Sequence, residues 1–254
     1  MLYFYTLKGL ANASKRLLKQ LHEAFPTWPL RVVEDSLSAN GPHINLLKEL
    51  KFGFIISVKP DGQESLFAEV KSRILDGKSE EFEVVGDDKI VCGYRWINGV
   101  PLNKSNPDLL VNFLDYWEIR EGKEFNFSWI TDIQLTVKIV HLVMKGGRSR
   151  WHIENQTFNT LKNQDYEFEH NYGHGEQHLA TVFAMLMMLA FLIDQVQEYS
   201  CSFFQAARQR FHSRTSLWIK IKGLFTEFFI ENWEALWRAI IYGHGGGFLQ
   251  PNTS

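Results

Sequence analysis

One acid, Glu154, and three cations, Arg148, Arg150 and Lys162, have the types and spacing for metal-dependent phosphate chemistry. All four share the run Arg148-Ser-Arg-Trp-His-Ile-Glu-Asn-Gln-Thr-Phe-Asn-Thr-Leu-Lys162. At about 100° per residue, Arg150 and Glu154 fall one turn apart on a helical face that Phe158 and Leu161 continue, with Lys162 at its edge. An acid flanked by cations suits a site that holds a metal ion and anionic phosphates together. The same spacing also describes an ordinary amphipathic helix with an i,i+4 ion pair, worth a few tenths of a kcal/mol. Asp35 closes the run Leu-Arg-Val-Val-Glu-Asp-Ser-Leu, and an isolated Asp at a strand end commonly serves as a cap or turn residue. Glu34 is the adjacent alternative, since neighbours on a strand point to opposite faces.

The elements that must position these residues follow from periodicity. Apolar residues at helical spacing predict a helix over 12–25, closed by Pro26 and Pro29. A short strand over 30–34, a helix over 42–50 and a buried strand over 53–58 complete an α/β signal. Alternation and turn residues between 80 and 130 read as antiparallel β, with Asp87 and Asp88 in a hairpin turn. From about residue 132 the chain reads as helical, broken at Gly173–Gly175 and near Gly223, with a frayed Gly-rich tail. The expected division is 1–59, 60–131 (β-rich insertion), 132–199 (helices carrying Glu154) and 200–254.

A hydrophobic fraction of 45% with 14% aromatics describes a globular protein, and a net charge of −2 leaves any polyanion contact to local patches. Cys92 and Cys201 form no metal-ligand pattern and fit two free thiols in a reducing compartment. The run Val182–Ile193 is too short to span a bilayer and reads as a buried core helix. No secretory signal is visible, so the expectation is a cytoplasmic protein without a membrane partner.

The wording of the Glu154 segment goes further than its spacing. R-W-x-I-E-x-x-x-F-x-x-L-K over residues 150–162 resembles the C-terminal signature of DDE-type insertion-sequence transposases, marked by a Y-R-E-K pattern. Arg150 and Glu154 match that pattern. Lys162 follows Glu154 by eight residues where the pattern has seven, and Gly147 stands where it has Tyr. The continuation through Asn171-Tyr-Gly-His-Gly175 is also similar to one branch of these enzymes. The resemblance implies an α/β, ribonuclease-H-like core in which three carboxylates hold two divalent ions, Mg²⁺ or Mn²⁺, and cut and join DNA. It implies Asp35 as the second carboxylate, Glu154 as the third, and Arg150 and Lys162 as contacts to DNA phosphates, to which Arg148 and Lys145, just before this helix, would add.

The pattern's first Asp has no counterpart, because residues 1–34 contain no Asp. The chain therefore reads as the C-terminal portion of a transposase, from a truncated, decayed or split gene, inactive by itself. Its expected partner is DNA, with a homodimer as a further expectation. A DNA-binding or oligomerising remnant that modulates the full-length enzyme is the alternative, and an unrelated ribonuclease-H-like nuclease is a third reading.

Several other residues compete for attention. Asp132 reads as a cap or turn residue, Trp151 as a core tryptophan, and Lys145 and Arg148 as flanking a Gly-Gly turn. His170, His174 and His178 stand at i, i+4 and i+8, a zinc spacing on an unbroken helix, but glycines interrupt them. Arg208, Arg210, Arg214, Lys220 and Lys222 interleave with aromatics in an acid-free stretch, which suits either a DNA backbone or a solvated helix face.

Overall fold

The computed structural model describes residues 7–86, 90–173, 175–243, 247 and 249–251; the side chains of residues 7–11 and of Glu154 lie outside the description. The predicted Asp87–Asp88 turn falls outside it as well. The chain divides into two compact units, Met1–Arg150 and Trp151–Ser254.

The first unit is α/β. Helix α1 (Leu7–Ala24) precedes β1 (Arg31–Glu34), α2 (Gly41–Glu49), β2 (Gly53–Val58), α3 (Glu64–Leu75), β3 (Glu80–Val85), β4 (Val91–Asn103), β5 (Asn106–Arg120) and β6 (Lys123–Thr131). Helix α4 (Val140–His152) closes the unit, with its last residues beyond the division. The strands form one mixed six-stranded sheet in the order β1-β2-β6-β5-β4-β3, in which only β1 and β2 are parallel. The β1-α2-β2 crossover supplies the helix that a parallel pair needs. Residues 80–131 therefore extend the sheet of β1 and β2, with β6 pairing directly on β2.

Alternation along the strands splits the core into two layers. Phe54, Ile56 and Val58 of β2 pack with Leu18 of α1, Leu47 of α2 and Leu66 of α3 on one face. Ile55 points the other way and joins Trp129, Leu114, Val140, Val143 and Met144 under α4. Helix α3 lies within the β-rich stretch 60–131, ahead of the β structure expected at 80–130, and has no counterpart in the sequence reading. Its apolar positions Leu66, Phe67, Val70 and Ile74 recur at helical spacing, and Glu64 sits favourably in its first turn.

The Gly-Gly turn expected before Arg148 is likewise absent: Gly146 and Gly147 lie inside α4. A Cβ on Gly147 would stand 2.4 Å from the Trp129 indole nitrogen, and one on Gly146 would stand 2.8 Å from Ile55 Cδ1. The pair lets α4 approach the sheet closely, which offsets its poor helix propensity.

The second unit is helical. A π-helical segment (Ile153–Phe158) leads into α5 (Asn159–Asn163), α6 (Leu179–Ser200), α7 (Ser202–Gln209), α8 (Arg214–Glu227) and α9 (Trp233–Tyr242). Strands β7 (Phe228–Phe229) and β8 (Gln250–Pro251) form a short antiparallel pair, so part of the tail read as frayed is paired. Phe204, Leu217, Ile221, Leu236, Trp237 and Ile240 make its core. Helix α8 runs unbroken through Gly223, contrary to the expected break; a capping box of Ser213 and Ser216 starts it.

Helix α6 departs most from expectation. It is 22 residues long, and the run read as a buried core helix is largely exposed. Among the described residues it alone is long and apolar enough to cross a membrane by length and composition. Flanking apolar residues lengthen the twelve-residue run, and the rest of its unit covers only one of its faces.

Candidate functional site

Asp35 follows the last residue of β1, at the end of the sheet from which the chain turns toward α2. Its Oδ1 accepts the Leu37 N–H at 3.0 Å and so caps the 3₁₀ turn Ser36–Ser38. One carboxylate oxygen thus does what a turn Asp commonly does. Asn40 then caps α2 by accepting from His43 N–H, with Pro42 in the first turn. Two successive side-chain caps explain why the chain turns so tightly after β1.

Asp35 lines a cavity of about 690 Å³ together with Glu34, His43, Ser14, Lys15 and Arg150, all from the first unit. Asp35 and Arg150 thus share one cavity, while the side chain of Glu154 lies outside the described residues. Glu34 is held within that lining: its Oε2 lies 2.7 Å from His43 Nε2, in a pair of which His43 is almost fully buried. Strand alternation places Glu34 on the α2 side, with Val32, and so distinguishes it from Asp35. Lys15 and Ser14 escaped the sequence reading. The signal available for them was only their place on α1, a helix whose position in the fold the sequence leaves open.

Asp132 stands at the other end of the same strands. Its Oδ1 accepts from Phe54 N–H and from Arg31, both at 2.8 Å, which ties the starts of β1 and β2 to the end of β6. That is a bracing role away from the Asp35 cavity.

Arg148, near the end of α4, makes its contacts within the first unit. Its guanidinium pairs with Glu118 and lies over the Phe127 ring at 4.9 Å. Glu118 is buried, accepts from the Tyr116 hydroxyl at 2.6 Å and also pairs with Arg120 at 2.5 Å. Burial alone would raise its pKa, but the Tyr116 hydrogen bond and the two guanidinium charges together hold it below the ordinary carboxylate value. The Tyr116 hydroxyl, pushed far upward by burial and by its acidic neighbours, stays protonated and donates. Arg148 thus anchors the end of α4 to β5.

Beyond α4 the backbone widens into the π-helical segment that contains Glu154. A π turn holds one more residue per hydrogen-bonded ring than an α turn, and such bulges recur at functional sites. Lys162, on α5, pairs with Glu169 at 2.7 Å and lines a cavity of about 540 Å³ with Asn155, Phe158, Asn159 and Phe168. Trp151, read as a core residue, is instead exposed and stands edge-on to His152. Gly147, standing where the pattern has Tyr, sits against Trp129, where no larger side chain fits.

The remaining candidates have local roles. His170 packs edge-on to Tyr172, and His178 takes a left-handed conformation before α6, so no helix presents them together. His174 lies outside the described residues. Arg208 donates to the Phe211 carbonyl, Arg210 to the Ile240 carbonyl, and Arg214 pairs with Glu198. Among the described residues, no three His, Cys, Asp or Glu side chains gather as a metal centre.

No family model matches the chain, and no curated protein matches it significantly.

Proposed function

We propose that the chain is part of a DDE-type transposase with a ribonuclease-H-like core, whose parent reaction is metal-dependent cleavage and joining of DNA strands. The observation that carries this reading is the shared cavity of Asp35 and Arg150: an acid at a strand end and a cation from the motif helix meet on one unit. The Arg150–Glu154–Lys162 wording supports it from the sequence side. The order β1-α2-β2, with the acid at the end of β1, is the local arrangement such a core requires.

The donor chemistry suits a hard cation. Mg²⁺ is commonly bound through one or two carboxylates, with water and substrate phosphate completing its shell. Asp35 offers one carboxylate, with its second oxygen outside the cap hydrogen bond, and Glu154 is the second by resemblance. When bound, Mg²⁺ or Mn²⁺ would lower the pKa of an attacking hydroxyl and stabilise the leaving oxygen. Arg150 and Lys15 would hold the DNA phosphate beside Asp35, Arg150 by bidentate hydrogen bonds. With no Asp in residues 1–34 to complete a triad, the chain by itself binds DNA and does not cut it.

A second reading, a DNA-binding remnant that modulates a full-length enzyme, draws on the turn-capping role of Asp35. One titration separates the two. Binding of the 254-residue chain to duplex DNA with a free 3′ end should strengthen with Mg²⁺. Asp35→Asn keeps the cap acceptor but removes the charge, and should abolish that strengthening. Arg150→Ala should weaken binding and lower the salt slope by about one. Mg²⁺-independent binding that survives both substitutions would overturn the transposase reading, and strand cleavage by the chain alone would overturn the claim of inactivity.

A further inference from the structure

Helix α4 is covered along most of its length and then loses that cover. Val140, Val143, Met144 and Gly147 are buried, whereas Arg148, Ser149 and Arg150 are not. Arg150, which lines the Asp35 cavity, belongs to this uncovered end. Past Gly147 the helix meets the sheet through Arg148, which pairs with Glu118 and lies over the Phe127 ring. Arg148 and Arg150 stand two places apart, about 200° around the helix. A side chain held on one flank therefore fixes the rotation of this end, and with it the direction in which Arg150 is presented.

Glu118 is placed to keep that anchor still. It is buried on β5, and both its oxygens are engaged. Oε1 accepts from the Tyr116 hydroxyl at 2.6 Å and from Arg148, while Oε2 pairs with Arg120 at 2.5 Å. Strand alternation puts Tyr116, Glu118 and Arg120 on one face of β5, the face that α4 covers. Held below its ordinary pKa, the carboxyl is charged at neutral pH and grips the guanidinium by a charge-assisted hydrogen bond. Glu118 is not among the described residues that line the cavity, so its hold on that site passes through α4.

We propose that Glu118 is a positioning residue for phosphate: through Arg148 it fixes the end of α4, so that Arg150 meets a DNA phosphate in the Asp35 cavity. The inference rests on the reading of that cavity as a DNA site. Two effects of Glu118 oppose each other there. Its charge repels phosphate, so losing it should by charge alone tighten DNA binding. Its hold on Arg148 favours phosphate, because a cation already aimed at its target gives up less conformational freedom on binding. Two guanidinium groups already neutralise the carboxylate, which leaves the positioning effect to decide the sign.

The test is a salt titration of the full chain binding duplex DNA with a free 3′ end, followed by fluorescence anisotropy. Glu118→Gln keeps an acceptor for Tyr116 and removes the charge. It should raise Kd at least about fivefold and lower the salt slope by about one, as Arg150→Ala does. The double variant should bind no more weakly than Arg150→Ala alone, since both act on one contact. Circular dichroism gives the folded fraction; a merely structural loss lowers the active concentration but leaves the salt slope and the additivity of the two substitutions in place. If Glu118→Gln does not fold, Phe127→Leu removes the ring beneath Arg148, keeps the charge, and should weaken binding by a smaller factor. Binding that Glu118→Gln tightens or leaves unchanged, an unaltered salt slope, or a fully additive double variant overturns the inference. So does Phe127→Leu without weakening, where that variant alone folds. If Arg150→Ala itself has no effect, the reading of the cavity falls and this inference with it; a response to Arg150→Ala alone overturns only the positioning role.

Discussion

Each unit of this protein buries one acid against a tyrosine hydroxyl and an arginine, and the two acids respond in opposite directions. In the first, Glu118 accepts from Tyr116 and lies between Arg148 and Arg120, two cations for one carboxylate. In the second, Asp194 accepts from Tyr166, but its cation Arg214 stands 4.0 Å away and pairs more closely with Glu198, so one cation serves two carboxylates. Glu118 is lowered despite its burial. Asp194 is raised, by burial first and with the help of Glu198, against the Tyr166 hydrogen bond and Arg214. Burial raises Asp194 and a shared cation does not offset it, whereas a hydrogen bond and two cations outweigh burial at Glu118.

Removing the better-paired acid should have the larger effect. Glu118→Ala leaves Arg148, Arg120 and the Tyr116 hydroxyl without their shared acceptor and frees the end of α4. Breaking a buried pair costs about 3–5 kcal/mol, and partial exposure of both arginines places this case at about 3. Hydrogen exchange resolved by peptide should show that loss in β5 and α4, with α6 and α8 unchanged. An equal loss in both units, or none, would break the comparison.

The next effect tests geometry instead of charge. Gly147→Ala puts a methyl group 2.4 Å from the Trp129 indole nitrogen and should push α4 outward, at a cost of about 2 kcal/mol. Arg148 would then reach Glu118 less well, so Gly147→Ala and Glu118→Ala together should cost less than their sum. Strict additivity of the two in urea unfolding would mean that close approach of α4 does not support the Arg148–Glu118 pair.

How far these features could be read in the sequence depends on whether they are local. Helices α1 and α2, strands β1 and β2, and the acid at the end of β1 follow from periodicity and from caps within a few residues of one another. The cavity shared by Asp35 and Arg150 joins positions 115 apart, and no local signal announces it. Tyr116, Glu118 and Arg120 alternate on one face of β5, but nothing near them in sequence announces Arg148 as their partner. Gly146 and Gly147 read as a turn because propensity has no knowledge of Trp129. The exposure of α6 was hidden for a similar reason: apolar residues report that a helix needs cover, not whether its own chain provides it.

The smallest effect is a pH dependence of opposite sign at Glu118 and Asp194. A carboxyl lowered in the folded state gives stability that is present above its ordinary pKa and lost as pH falls through the lowered value. Glu118 therefore keeps the first unit stable down through the ordinary carboxylate range. A raised carboxyl gives stability present below its ordinary value, 3.8 for Asp, and lost as pH rises through the raised one. Acidification from neutrality toward that range should thus strengthen the second unit through Asp194, with no contribution from Glu118 to the first, where the partly buried and likewise raised Asp115 is the group that responds. Asp194→Asn keeps an acceptor for Tyr166 and removes the charge, so it should change stability by less than about 1 kcal/mol at neutral pH and flatten the second unit's response. If protection of α6 and α8 against exchange instead weakens with acid in the parent chain, Arg214 pairs with Asp194 tightly enough to overcome its burial and its division between two acids.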